Sequence, residues 1–492
     1  MGRRIPNPIR LTILWIGLAL ARVGLIEADR ARRTTDLAWP RIVTGLARMS
    51  KSAVDVAMVG IAVGSAAIAG VGFASPFWGL AFSIGGGIAG GTIALVSQRY
   101  GAEAFEQLGQ AVRSSALLVV VISLPITAFF WTYAHELISV LTSDPEAIEL
   151  GAAYLRVVAL GIPFAGLNLI GSRVFVGMDD AWTPMVVRAG GAIANIFLNA
   201  VLIFGLDMGV VGAALGTVLA NVVVTGTFAF ALVSGRLPGV TSVPVAIDPF
   251  GTYVDPRTVH DLITIGLPVI GRNLVWTVAE FPMLAIVDIF GQDTVAAYVI
   301  ARRIWGLMNT PGWGFGLAAS SLVGQELGTG KEETAERYGR EIVRFSVAVY
   351  LVSAGIVFAF AEPITLLFTD DPTAPAIPIA VTLVYAACIA VVLQGVAGGA
   401  AGALDASGDT RWPFYSQFLG MFCVAIPLAY VGAVAVTIPY VGTLPSIGLW
   451  GLYLAFVAET AVPAAINYYR FSSGKWKRIS RSYRPETTIG DD

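Results

Sequence analysis

Two stretches decide how this chain folds. Trp78 to Gly101 ends Val96-Ser97-Gln98-Arg99-Tyr100-Gly101, and Trp305 to Gly328 ends Val323-Gly324-Gln325-Glu326-Leu327-Gly328. They stand 227 residues apart, and each is an apolar run closed by Gln and Gly at matching places. A charged segment follows each of them, Glu103 to Gln110 and Lys331 to Glu341. A second echo pairs Gly177-Met178-Asp179-Asp180-Ala181-Trp182-Thr183-Pro184 with Ala406-Ser407-Gly408-Asp409-Thr410-Arg411-Trp412-Pro413. Self-similarity at a fixed offset marks a repeated structural unit, so the chain is read as two similar halves.

The surrounding composition says what the halves are made of. Of 492 residues, 56% are hydrophobic and 13% charged, about half the charged fraction of a soluble domain. That excludes a water-soluble enzyme, and disorder as well, which needs few apolar residues and much charge. Apolar runs long enough to cross hydrocarbon, about 20 residues, recur twelve times: 42–63, 70–97, 112–134, 150–176, 184–206, 209–233, 262–290, 295–323, 341–361, 376–404, 412–436 and 447–470. The expected fold is all-α and integral to the membrane, with twelve transmembrane helices in two six-helix pseudo-repeat bundles around a central cavity. An even number of spans per half gives both halves the same orientation, related by an axis along the membrane normal. The expected division is an N-terminal cytoplasmic or interfacial segment (1–41), an N-lobe of spans 1–6 (42–233), a cytoplasmic linker (234–261), a C-lobe of spans 7–12 (262–470) and a basic cytoplasmic tail (471–492).

Lysine and arginine set the orientation. The loops at 64–69, 135–149, 207–208, 291–294, 362–375 and 437–446 contain neither. Arg99, Arg236, Arg257, Lys331, Arg337, Arg340, Arg411 and both termini share the other face, expected to be the cytoplasmic face of the plasma membrane. Leu11 to Ile26 is apolar apart from Arg22 and follows Arg3, Arg4 and Arg10. It lacks a small-residue cleavage site, and a thirteenth span would put the leading arginines outside, so a helix lying on the interface is expected.

The sequence holds no Walker lysine motif and no Ser/His/Asp grouping. His135 and His260 stand far apart, and a net charge of −2 gives nucleic acid no purchase. No enzyme and no cofactor are expected. Gly85-x-Gly87-x-x-Gly90 matches a dinucleotide fingerprint as text but lies in an apolar span, where it reads as close helix packing. Two bundles around a cavity point to a transporter that works by alternating access.

Further stretches resemble the multidrug and toxic compound extrusion (MATE) transporters: Val54-Asp55-Val56-Ala57-Met58-Val59-Gly60 in span 1, residues 91–98 closing span 2, Gly408-Asp409-Thr410-Arg411 after span 10, and Asn195 to Gly205 followed by Gly209 to Ala220. The resemblance covers roughly residues 42–470. It implies export of amphipathic, often cationic, compounds in exchange for Na+ or H+ as coupling ion. The alternative is a flippase for a lipid-linked or polyprenyl substrate, which shares this architecture. It needs a larger and more basic cavity, for which Arg272, Arg302 and Arg303 are the sequence hint. Expected partners are a small amphipathic substrate and the bilayer, with the chain a monomer.

Ionisable groups inside spans are costly and mark function by default. Asp55 lies about 13 residues, roughly 20 Å, into span 1. A carboxylate there can hold Na+, take up a proton or attract a cationic substrate, and the resemblance implies coupling. Lys51, one turn earlier, either neutralises it statically or competes with a bound cation. In span 5 the resemblance implies Asn followed four residues later by Asp; here both are amides, Asn195 and Asn199. Their carbonyls on one helix face, with the Thr217 hydroxyl that the resemblance adds, are candidate Na+ ligands beside Asp55. They serve equally as polar glue between helices. Asn168 and Asn221 are weaker candidates of the same kind. In the second half Met283 takes the place of Asp55, and the glutamate implied for span 7 falls at Trp276. Glu280 and Glu459 are mid-span carboxylates for substrate or modulation, unless Arg272, Arg302 or Arg303 neutralise them. Trp78, Trp305, Trp313 and Phe315 either line the cavity or pack helices.

Overall fold

A computed structural model describes residues 7–243, 245–368, 373–438 and 442–485. Arg3, Arg4, the last residues of the tail, and parts of the loops at 362–375 and 437–446 lie outside the described residues.

The first half comprises α1 (Pro8–Arg22), α2 (Ala28–Val63), α3 (Ser65–Gly101), α4 (Phe105–Thr132), the short α5 (Ala134–Ser139), α6 (Pro145–Ala159), α7 (Ile162–Gly177), α8 (Trp182–Ala200) and α9 (Gly209–Ser234). A small hairpin follows, β1 (Arg236–Leu237) on β2 (Thr241–Ser242). The second half comprises α10 (Pro256–Ile289), α11 (Gln292–Met308), α12 (Thr310–Gly328), α13 (Glu332–Ala359), the short α14 (Ala361–Leu366), α15 (Ala376–Ala406), α16 (Arg411–Phe418), α17 (Ile426–Ala433), α18 (Leu449–Ser472) and α19 (Trp476–Ser480). Before α18 the chain forms a second hairpin, β3 (Val436–Ile438) on β4 (Gly442–Leu444). π-helical turns, Val201–Gly205 after α8 and Leu419–Ala425 between α16 and α17, widen one helix in each half.

Among the described residues nine helical stretches are long and apolar enough to cross a membrane, and α6 with α7 adds a tenth across a 50° bend. Two more crossings are long enough but less apolar. The first is α2, whose opening turns carry Arg30, Arg32, Arg33 and Asp36; the second is α11 with α12, broken at Asn309. Twelve crossings result. The break before α12 follows from Pro311, which lacks an N–H to continue the ladder. The hydroxyl of Tyr350 lies 3.1 Å from both Asn309 O and Asn309 Oδ1 and serves the freed groups inside the bilayer.

One boundary differs clearly from the sequence reading. The first crossing is helical from Ala28 rather than from residue 42, because its amphipathic beginning packs against protein. Arg30 pairs with Glu341 at 2.7 Å, and Leu37 and Ala38 are buried beside Phe315, Leu322 and Phe345. Upstream, α1 has 15 residues, about 22 Å, too short to span a hydrocarbon core of about 30 Å. It docks on α2 and α13, with Arg10 on Asp36 at 2.8 Å.

The repeat is visible in the backbone. α13 and α14 begin and end 227 residues after α4 and α5. Glu103 (φ 57°) occupies the left-handed turn that Gly330 (φ 79°) fills in the second half, and Asp179 (φ 70°) answers Gly408 (φ 82°). The Gly85-Gly87-Gly90 spacing is close packing: a Cβ on Gly87 would lie 2.1 Å from Ile270 Cγ1 on α10.

The halves meet through α3 against α10 and α12, and through α2 against α12. These contacts are tightest on the face that carries both termini. A Cβ on Gly328 would stand 1.9 Å from Gln98 O, one on Gly101 2.0 Å from Gln325 O, and one on Gly324 1.9 Å from Ser97 Oγ. The echoed segments that opened the sequence reading are thus packed on each other, backbone to backbone. Gln98 Nε2 donates to Ala406 O at 2.7 Å and Ser321 Oγ to Val176 O at 2.6 Å. Arg33 bridges Asp179 at 3.2 Å and Gln325 at 3.1 Å. In its loop, burial pushes the Asp179 carboxyl above the usual range, and the Arg33 guanidinium pulls it part of the way back.

A methyl group does not fit at this seam. Gly328→Ala is expected to drive the halves apart there and to shift the population toward states open on this face, without unfolding either half. Solvent labelling of a cysteine placed at Thr329 reads the shift; unchanged labelling would remove the seam from the conformational equilibrium.

Candidate functional site

Past Pro40, which lies inside the helix, α2 carries Lys51 and Asp55 one turn apart, so their side chains meet on one face. Lys51 Nζ donates to Asp55 Oδ2 at 2.5 Å. The other carboxylate oxygen, Asp55 Oδ1, accepts from Asn199 Nδ2 on α8 at 2.9 Å. Asn199 Nδ2 is also 3.4 Å from Asn195 Oδ1, and Asn195 Nδ2 donates to Thr217 Oγ1 on α9 at 3.2 Å. From there the chain of bonds continues through Asn221 Nδ2 to Thr217 O at 3.0 Å and Asn168 Nδ2 to Asn221 Oδ1 at 2.8 Å. It ends at Thr225 Oγ1 on Asn168 Oδ1, 2.8 Å. All four amides singled out from the sequence, with Thr217, Asp55 and Lys51, therefore belong to one polar network inside the first half.

Backbone features bring these groups together. The π-helical turn begins directly after Ala200, one residue past Asn199; such bulges occur often at functional sites. On the facing helix, a Cβ on Gly216 would stand 2.0 Å from Asn199 Oδ1, so only glycine lets α9 approach this closely. Asn195 and Asn199 are fully buried, whereas the Asp55 side chain keeps 21% of its exposure. Asn199 Oδ1 is buried and has no donor. An unpaired buried oxygen is costly, and this one lies on the residue that bonds Asp55. Two carboxylate oxygens, two amide oxygens and a hydroxyl make a hard-oxygen set suited to Na+. The carboxylate is equally a proton acceptor. Lys51 neutralises the site in the present arrangement, so an entering cation competes with the ammonium for Asp55.

The mid-span carboxylates of the second half do not join this network. Glu280 is exposed, and Arg272 pairs with Asp405 at 2.8 and 3.2 Å instead. Arg303 is exposed and pairs with neither glutamate. Glu459, 1% exposed, is held by Arg302 at 2.5 and 3.1 Å. Arg302 Nε also donates to Tyr298 Oη at 2.9 Å, and the guanidinium sits 5.0 Å from the Phe456 ring centre and 5.4 Å from that of Trp305. The geometry is that of a locked structural pair. Trp276, where the resemblance implied a glutamate, stacks on Trp305 at 5.5 Å. Phe315 is buried in the helix core and lines nothing.

The sequence reading also missed a group of residues. Arg41, Arg48, Arg173 and Arg188 converge between α2, α7 and α8, whereas, of the sequence hint of a basic cavity, Arg272 and Arg302 are paired with carboxylates and Arg303 is exposed. The available signal was that Arg173 and Arg188 each stand inside an apolar run.

Three comparisons bear on this arrangement. The profile of the MatE family matches residues 40–201 and again 268–431, once in each half. A probable multidrug resistance protein NorM of Bradyrhizobium diazoefficiens is 28% identical over 88% of this chain and 95% of its own length. Multidrug resistance protein PmpM of Pseudomonas aeruginosa is 26% identical over 84% of this chain and 86% of its own. An outward-facing structure of a multidrug resistance MATE family transporter of the MOP superfamily superposes with a TM-score of 0.78 at 23% identity. It covers 93% of this chain and 98% of the other.

Proposed function

The chain belongs to the MatE family of membrane transporters, and from that premise we propose that it exports amphipathic organic compounds, cationic ones among them, in exchange for Na+ or H+. It is a multi-pass membrane protein and not an enzyme. The observation that carries the coupling role is the network around Asp55, with a carboxylate of divided exposure, a displaceable ammonium and an unpaired buried oxygen on Asn199. With an amide at 199, Asp55 supplies the site's one negative charge, so one monovalent cation is taken up per cycle. The terminus-bearing face is cytoplasmic, as its basic loops require. The tight seam then closes the inner side, and the cavity opens outward. One chain holds both halves, and the monomer is the working unit. The flippase alternative draws no support from these relatives.

Accumulation of a fluorescent organic cation inside everted vesicles, under imposed Na+ and H+ gradients separately, tests the reading. Export under one gradient identifies the ion; export under neither overturns antiport.

Lys51 gives a sharper test of the competition. Lys51→Met is expected to lower the half-saturating ion concentration by about threefold to tenfold, the worth of one partly screened ion pair. An unchanged ion dependence would make the pair static.

A further inference from the structure

We propose that the chain carries a second recognition site, for an anionic group on an amphipathic molecule, built by Arg41, Arg48, Arg173 and Arg188. The proposal deepens the transport reading above and rests on it for the identity of the molecule as cargo.

Four observations carry it. First, the arginines form one group: the charges acting on Arg41 are Arg188 and Arg48, the one acting on Arg173 is Arg41, and those acting on Arg188 are Arg173 and Arg48. Second, no carboxylate acts on any of them, and none of the four makes a hydrogen bond or an ion pair among the described residues. Arg41 Nε and Arg173 Nη1 are buried with no acceptor at all. Every other arginine deep in this protein that the text has described is paired: Arg302 on Glu459 and Arg272 on Asp405. Third, two of the four, Arg41 and Arg188, line one narrow pocket that is partly open to solvent. Arg41 and Arg188 share that pocket with the hydroxyls of Thr44 and Ser172 and with the apolar side chains of Met185 and Leu317. Fourth, the pocket lies between the halves. Leu317 belongs to α12, and Trp313 of the same helix lies 5.7 Å from both Arg41 and Arg48, with Phe82 5.4 Å from Arg48.

Arg41, Arg173 and Arg188 are half-buried and Arg48 is exposed. Like charges gathered without counter-ions repel one another, and ionisable groups within membrane spans persist where they serve a pathway. An anion supplies what the group lacks. Guanidinium forks match carboxylate, phosphate and sulfonate oxygens, often in bidentate fashion. Trp313, Phe82, Met185 and Leu317 provide a wall for an apolar body attached to that anion. The site is separate from the coupling network: Arg48 and Arg41 precede Asp55 on α2 by 7 and 14 residues, about 10 and 21 Å along the helix. Because the pocket joins both halves, an anion bound there contacts the surfaces whose separation alternates during transport.

The test is equilibrium binding to the purified full chain in detergent, with no ion gradient. Two xanthene dyes of opposite charge serve as probes: carboxyfluorescein as the anion and rhodamine 6G as the cation. The expected result is that carboxyfluorescein binds, weakens as salt is raised, and loses at least tenfold in affinity in Arg41→Gln and in Arg188→Gln, while rhodamine 6G binding is retained. Competition by inorganic phosphate separates the sources of recognition. Full displacement means that the anionic charge suffices, and weak displacement means that the apolar wall contributes; both support the site. Equal carboxyfluorescein binding by wild type and both variants, or no binding by wild type, overturns it. Misfolding does not confuse the outcome, because removing one of four mutually repelling charges is expected to leave the melting temperature unchanged or raise it. Asp55→Asn is expected to bind carboxyfluorescein as the wild type does, so a failure of antiport and a failure of the anion site are read independently.

Discussion

Asp55→Asn is expected to reduce gradient-driven export at least 100-fold while the protein still reaches the membrane folded. The amide is isosteric, and its oxygen still accepts the 2.9 Å bond from Asn199 Nδ2. The released Lys51 side chain is 23% exposed and reaches water, so the variant leaves no ion stranded in hydrocarbon. What disappears is the charge. With amides at 195 and 199, no second carboxylate stands in the network to hold Na+ or a proton, so the loss should be close to complete and not graded. Export measured in everted vesicles, beside a melting curve shifted by no more than a few degrees, checks both halves of the expectation. Undiminished export by a well-folded variant would remove Asp55 from coupling.

The largest expected effect on stability lies in the other half. Breaking a buried ion pair leaves its partner charged and unsolvated, at a cost of about 3–5 kcal/mol. Glu459→Ala strands the Arg302 guanidinium among Tyr298, Phe456 and Trp305, and a loss of that size is expected in thermal or denaturant unfolding. Replacing both partners by apolar residues of similar volume, Arg302→Met with Glu459→Leu, is expected to recover most of it, because the desolvation of both charges is removed together. Export by the double variant decides the pair's role. Retained export assigns the pair to the fold, whereas a folded double variant without export would give it a part in transport.

The contrast between these two carboxylates shows where sequence reasoning works. Asp55 and Lys51 are one helical turn apart, so their contact follows from helix geometry alone. Asn195 and Asn199 share a face for the same reason, and Gly216 and the π-helical turn set how near they come to Asp55. Glu459 had three candidate arginines. Its partner, Arg302, is 157 residues away, and nothing local distinguishes it from Arg272 or Arg303. The start of α2 was misread for a related reason: Arg30, Arg33 and Asp36 look like a solvated segment until the partners that satisfy them, Glu341, Asp179 and the α1 residue Arg10, are in place.

The sequence alone determined the twelve crossings and their arrangement in two like halves. Hydrocarbon thickness and helical rise convert residue number directly into position, and a repeat preserves its offset along the chain. Only the tertiary structure decided which halves of which helices touch, that Glu459 is locked by Arg302, and that four arginines from three helices meet without a counter-ion. Those outcomes depend on how closely helices approach. Closeness is set by glycines such as Gly216, Gly324 and Gly328, and by what faces them across the interface. No periodicity along one helix reports what lies opposite on another.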